Sequence, residues 1–169
     1  TVSSLSGVTG VQVADFTILN PGQGFTSAPI ISFDAIGGLM GAQGAQAVAT
    51  VEDGVITGIT LTDPGLYRPG FAPVVTVTAV TNASAASNAS VTLNVASTGG
   101  VGVGSTIIGA GIAAGTTVVA VVSNTQLTLS QNASVANGAD LYISGGVGGN
   151  SASVVVRPLG QVTSNAIVG

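Results

Sequence analysis

The chain has 169 residues and a formal net charge of −4, with two Lys or Arg, six Asp or Glu, and no His or Cys. Only 5% of its residues are charged, against about 25% in a typical soluble domain, so a basic face for nucleic acid is excluded. The usual proton shuttle, thiol nucleophile and zinc ligands are missing, and the carboxylates lack the Asp-x-Asp-x-Asp-Gly spacing of a calcium loop. We therefore expect no enzyme activity, no catalytic residue, no cofactor and no metal.

Mean hydropathy is high, at +0.68, and residues 69–139 carry no charge. The best candidate for a membrane span, residues 99–122, is rich in Gly and has no flanking Lys or Arg, which does not fit a transmembrane helix. The N-terminus lacks the basic and apolar regions of a signal peptide. We therefore expect no membrane insertion.

Apolar residues recur at every second position along much of the chain, which is typical of strands with one solvent-exposed face. This alternation predicts strands at residues 16–19, 59–62, 75–78, 91–95 and 126–130. Turn sequences such as Asn-Pro-Gly, Asp-Pro-Gly and Asn-Gly stand between them. The predicted fold class is all-β, with two small sandwich- or barrel-like modules of short antiparallel strands and extended terminal arms.

The predicted organisation has four parts, separated by changes in composition and by a Gly-rich hinge. They are an N-terminal arm (1–10), a Gly-rich β-repeat module (11–88), a second β module (89–145), and a hinge with a C-terminal arm (146–169).

The first module contains two imperfect copies of one sequence, at residues 16–33 and 59–77. Each copy reads strand, Pro-Gly turn, aromatic loop, Ala-Pro and strand. Pro followed by Gly favours a type II turn, and the Pro of Ala-Pro has no N–H to give to a strand ladder. We predict that the aromatics Phe25, Tyr67 and Phe71 pack in a small core; the alternative is that they stack on a sugar.

The first copy carries the pattern Asn-Pro-Gly-x-Gly-Phe-Thr-Ser-Ala-Pro, and Asp-Gly-x-Ile-Thr-Gly-Ile follows it at residues 53–59. This pattern resembles the Gly-rich β repeats of structural proteins of tailed, cyanophage-like bacteriophages. The second copy departs from it, since Arg-Pro-Gly at residues 68–70 replaces Thr-Ser. Residues 90–144 contain Gly-x-Gly-Ile-x-x-Gly-Thr-x-Val and are similar to a short β module of phage virion proteins and bacterial surface proteins.

The resemblance implies a structural protein on the outer surface of a phage head or tail, and the short chain favours a capsid decoration, or cement, protein. Two alternatives stay open: a tail-fibre or baseplate component that binds host glycan, and a non-viral extracellular filament or adhesin subunit. The expected partners are copies of the chain itself, in a homotrimer or lattice, and a major capsid protein or tail protein. The resemblance transfers no catalytic residue to this sequence.

Natural β proteins protect free strand edges with charges, Lys above all, and this chain has almost no charges to use. We therefore expect its edges to be completed by other subunits. The C-terminal arm is predicted to reach onto a neighbouring copy, with Val154, Val155 and Val156 in the contact and Arg157 paired with a carboxylate of the neighbour.

Overall fold

The computed structural model describes residues 9–34, 44–148, 150–158 and 162–163, and none of these residues is helical. They form strands whose ladders are all antiparallel, so the predicted all-β class is confirmed. The strands are β1 (Thr9–Gly10), β2 (Val13–Pro21), β3 (Ile30–Phe33), β4 (Gln46–Glu52), β5 (Val55–Asp63), β6 (Val75–Asn82), β7 (Ser90–Asn94), β8 (Thr106–Gly109), β9 (Val118–Ser123), β10 (Gln126–Ala133), β11 (Asp140–Ser144), β12 (Ala152–Pro158) and β13 (Val162–Thr163).

A six-stranded sheet in the order β5-β4-β3-β6-β11-β8 runs through both predicted modules. The predicted boundary at residue 88 falls between β6 and β7, and the β6–β11 ladder crosses it, from Asn82 opposite Asp140 to Thr78 opposite Ser144. Every residue of β6 except Ala79 and Asn82 is Val or Thr, a β-branched composition that suits a central strand, and β6 lies between β3 and β11.

One face of this sheet is covered by two smaller sheets. The pair β2–β12 lies over the β5-to-β6 half, where Ile18 and Ala152 pack onto the core of Phe25, Ile31 and Ile56. The sheet β7-β10-β9 lies over the other half, and its core includes residues of β8 and β11. Both cores use the same face of the β6 run, since Ala79 belongs to the first core and Ala83 to the second and residues four apart in a strand share a face.

The second half of the chain closes into a small barrel. Bridges from Ala83 to Val95 and from Thr106 to Thr117 join β6 to the end of β7 and β8 to the start of β9. Together with the ladders, they give the closed order β6-β11-β8-β9-β10-β7. The buried core residues inside it are at most 2% exposed. Full closure removes the free edges of this half.

The first half is open, and its edges are irregular. Among the described strands, β5 pairs only with β4, and the register shifts leave Thr57 and Thr62 as extra residues. In β2, shifts against β12 leave Ala14 and Leu19 as extra residues. Such bulges twist an edge away from further pairing. Within the described residues, closure and bulges therefore limit the free edges in place of charges, and the expectation that other subunits complete the remaining edges stays a prediction.

The C-terminal segment differs from the expected arm. Strand β12 pairs with β2 of the same chain, with Val155 opposite Thr17 and Arg157 opposite Asp15, and β13 pairs with β1. Alternation turns Val154 and Val156 toward the interior, which gives this strand an apolar side to bury on its own chain. The rest of both predicted arms, 1–8, 159–161 and 164–169, lies outside the described residues.

Candidate interaction surface and binding pocket

The aromatic residues singled out in the sequence are not gathered at one surface. Phe25 is buried in the core beneath β2 and β12. Tyr67 is buried in a separate cluster, where its hydroxyl oxygen accepts a 2.8 Å hydrogen bond from the N–H of Ala45. Phe71 is 48% exposed. Of the three rings, only that of Phe71 offers a face to solvent, so these residues do not form a shared stacking platform.

The four residues predicted to contact a neighbouring subunit all lie on β12. Val154 is buried and Val156 is half-buried, and both pack within the chain. Val155 and Arg157 point outward, and the Arg157 Nε donates a 3.0 Å hydrogen bond to the Thr17 hydroxyl oxygen of the adjacent strand. Of these four residues, Val155 and Arg157 are therefore the ones that another molecule can reach.

The carboxylates serve local structure. Asp63 accepts a hydrogen bond from the N–H of Gly65, as the Asp-Pro-Gly turn predicts, and Asp34 accepts one from the N–H of Val74. Asp53 and Gly54 both have positive φ, of 51° and 77°, and form the tight β4–β5 turn. Within the described part of the chain, no group of three His, Cys, Asp or Glu residues lies close enough to hold a metal ion.

On the second face of the six-stranded sheet no other sheet of the described residues packs, and this face forms a surface that the sequence analysis did not find. Opposite residues on neighbouring strands share a face, so the pairings define a continuous row across all six strands. The row is Thr60, Val48, Ile30, Thr78, Ser144 and Thr106. Every side chain in it is uncharged. We call this uncovered side of the sheet the outer face.

A second row on the outer face is Val80, Tyr142 and Ile108. Four apolar side chains of the two rows are strongly exposed: Ile108 by 64%, Val48 by 55%, Ile30 by 48% and Tyr142 by 41%. Isolated exposed apolar residues are normal, but several on one sheet face mark an interaction surface. The carboxylates on this side, Asp34, Glu52, Asp63 and Asp140, stand at strand ends or directly after one, so the centre of the face is uncharged.

A pocket of about 430 Å³ opens where the loops of the two halves meet. Its lining residues are Gln23, Gly24, Thr26, Ala96, Ser97, Thr98, Gly99, Asn124, Thr125 and Asn150. They come from the loop after β2, the segment after β7, the β9–β10 turn and the segment before β12. All are small or polar and none is charged. We call this site the junction pocket.

Close backbone approach fixes the floor of the junction pocket. A Cβ at Gly99 would overlap the carbonyl oxygen of Gly24, so glycine is needed there. The Ser97 hydroxyl donates to the carbonyl of Gly24 at 2.9 Å, and its oxygen accepts from the N–H of Gly99 at 3.0 Å. The Thr98 N–H donates to the carbonyl of Asn124 at 2.9 Å. The bond from Ser97 to Gly24 ties the two halves together at the pocket, and the other two hold the segment after β7 in place.

Neither the outer face nor the junction pocket has a local sequence signal. The outer face is assembled from alternate positions of strands as far apart as β3 and β11, and the pocket from residues between 23 and 150. The usable signal in the sequence was indirect: exposed positions on alternating strands carried Val and Ile as well as Thr. The register of strand pairing determines which of these side chains lie next to one another on the sheet.

Comparison of the chain with protein-family models, with curated proteins and with solved structures finds no match. A search of the described residues for a helix long and apolar enough to cross a membrane finds none.

Proposed function

We propose that the chain is a structural subunit on the exterior of a tailed-phage virion, a capsid decoration protein that reinforces the shell through contacts between its own copies and with the major capsid protein. The observation that carries the assembly part of this proposal is the outer face, an uncharged surface with exposed apolar side chains across six strands. The phage part rests on the resemblance of the Pro-Gly repeats and of residues 90–144.

The dimensions of the outer face suit a protein partner. Six strands about 4.8 Å apart give a width of about 29 Å, and strands of four to nine residues give an area on the order of 600 Å² before side-chain relief. A stable interface buries about 800 Å² on each partner. The outer face is therefore large enough to form most of such an interface, with sheets packed about 10 Å apart.

The chemistry of the outer face favours a second copy of the chain as its occupant. The two cations of the chain, Arg68 and Arg157, lie elsewhere, in the loop after β5 and on β12. A charged partner would find no complementary charge at the centre of the face. An identical face offers the same mixture of Val, Ile, Tyr and Thr and can pair with it about a two-fold axis. Such a pair links two neighbouring copies, and the proposed contacts with the major capsid protein extend the array over the shell.

Contacts of this kind suit a shell component. Because they depend on apolar burial and neutral hydrogen bonds, salt screens them little, and titration of carboxylates at the rim does not disrupt their centre. Each contact is modest, but symmetry repeats it over many copies. Stabilisation by mass action then grows with local concentration, which is high once subunits are docked on a particle.

Cryo-electron microscopy of virions that carry the chain tests this function. We expect one density of this size at each symmetry-equivalent position on the outside of the head, with the outer face at a contact between copies. Density confined to the tail would contradict the decoration role and favour the host-binding alternative. Recovery of the chain as filaments from cells without phage would contradict the virion role altogether.

A further inference from the structure

We propose that the junction pocket binds an uncharged polyhydroxylated ligand, a neutral saccharide unit. The pocket volume of about 430 Å³ lies within the range of roughly 300–1,000 Å³ that small-molecule sites occupy. The site is distinct from the aromatic loops in which a sugar-stacking role was considered, since Phe25, Tyr67 and Phe71 are not among its lining residues.

The rim of the pocket carries unused hydrogen-bonding capacity. Among the described residues, no hydrogen-bond partner is found for the side chains of Gln23, Thr26, Asn124 and Thr125. All four are exposed at the pocket. Each amide offers two N–H donors and one carbonyl acceptor, and each hydroxyl both donates and accepts. Four such groups around one concavity match a ligand whose groups also donate and accept.

Hydrogen bonds to backbone groups hold the floor of the pocket in place. The Gln23 N–H donates to the carbonyl of Asn150 at 3.1 Å, and the Gln23 carbonyl accepts from the N–H of Gly100 at 3.0 Å. The Asn150 Nδ2 donates to the carbonyl of Thr98 at 3.3 Å. Because these bonds fix the floor in advance, binding orders only the rim side chains, and less of the interaction is lost to entropy.

The uncharged, polar side chains that line the pocket disfavour both charged and apolar ligands. Without a charged group, the pocket gives no electrostatic preference to an anion or a cation, whose desolvation would be uncompensated. Its polar side chains would lose water to an apolar ligand without replacement. A polyol replaces each lost water contact with a direct hydrogen bond. Vicinal hydroxyls of a sugar ring are the neutral groups that satisfy an amide at its donor and its acceptor together.

Affinity at one pocket is expected to be weak, because no aromatic ring lies among the described lining residues to add stacking. We expect a Kd of about 1 mM or above, which corresponds to about −4 kcal/mol or weaker. If many copies are displayed on a particle, as the proposed function holds, simultaneous engagement raises the avidity. Binding at a single pocket is independent of that function.

The test is a titration of the isotopically labelled chain with neutral hexoses and N-acetylhexosamines. Binding is monitored through the amide chemical shifts in NMR spectra. We expect shifts centred on Gly24, Ser97, Asn124 and Asn150, and no comparable shifts with glucuronate or with an aliphatic alcohol. Absence of shifts with every neutral sugar up to about 50 mM would overturn the proposal, as would shifts centred on Phe71.

Variants sharpen this test. Asn124→Ala and Gln23→Ala should each raise the Kd about tenfold, since each removes one amide from the rim. Asn137→Ala, at another exposed turn outside the pocket, is the matched control and should leave the Kd unchanged. Equal affinity in all three variants would overturn the proposal. Because the NMR titration uses the isolated chain and no virion, its result is independent of the cryo-electron microscopy result.

Discussion

The two halves of the molecule protect their strand edges in different ways. The barrel half closes its strands on themselves and buries a continuous core that includes Leu93, Leu127, Leu141 and Ile143. The open half divides its apolar side chains between two smaller clusters, in which many members are only half-buried, and ends in bulged edge strands. With almost no charges, a β chain protects its edges by geometry, and the outer face, which runs across both halves, keeps apolar side chains in water.

The largest expected difference between the halves is in the free energy of unfolding that is lost when one core side chain is truncated to Ala. Leu127→Ala removes a fully buried side chain from the closed barrel and should lower the free energy of unfolding by about 3–5 kcal/mol. Leu61→Ala removes a half-buried side chain of the open half and should lower it by about 2 kcal/mol or less. Urea denaturation of both variants measures this. Equal losses would mean that the open half is packed as firmly as the barrel.

The join between the halves gives the second prediction. Gly99→Ala places a methyl group against the carbonyl of Gly24 and should cost about 2–3 kcal/mol, because backbone on both sides has to move. Gly58→Ala is the matched control: a Cβ there meets nothing within 4 Å, and we expect a change within about 0.5 kcal/mol. Thermal denaturation of both variants measures their losses of stability. An unaffected Gly99→Ala would show that the junction is not rigid.

The smallest of the three effects concerns one hydroxyl group. Tyr67→Phe leaves the buried N–H of Ala45 without its acceptor and should cost about 1–2 kcal/mol. Tyr142→Phe changes an exposed ring on the outer face and should cost almost nothing in the free energy of unfolding. The same denaturation experiment compares them. A Tyr67→Phe variant as stable as the parent would mean that water satisfies the Ala45 N–H.

Local features of the fold could be predicted from the sequence because short-range chemistry determines them. Alternation located strands within β2, β5, β6, β7 and β10, although it missed their full extent, and Asp63 does cap its Pro-Gly turn. The aromatic loops placed Phe25 and Tyr67 near a core, which their burial matches, but Phe71 is exposed and does not pack as predicted. In each case the signal lay within a few residues of the element that it described.

What could not be predicted depends on pairing between distant residues. The β6–β11 ladder joins Asn82 to Asp140, and nothing in either strand specifies the other. Bulges shift register by one residue and reverse the face that a side chain occupies, so Asn20, which the alternation of Phe16 and Ile18 would turn inward, lies exposed opposite Ser153. The expected reach of the C-terminal strand onto a neighbour stays a prediction; the sequence did not indicate that β2 is available as its partner within the chain.

The central claim is that copies of the chain associate through the outer face, and the molar mass in solution tests it most directly. Light scattering after size-exclusion chromatography should give a mass above that of the 16.1 kDa chain, rising with concentration. Ile30→Lys, at the centre of the face, should return the mass to that of a monomer. Leu19→Lys, at an exposed bulge outside the face, should leave it unchanged. A monomeric parent at every concentration, or an Ile30→Lys variant with the mass of the parent oligomer, would contradict the account.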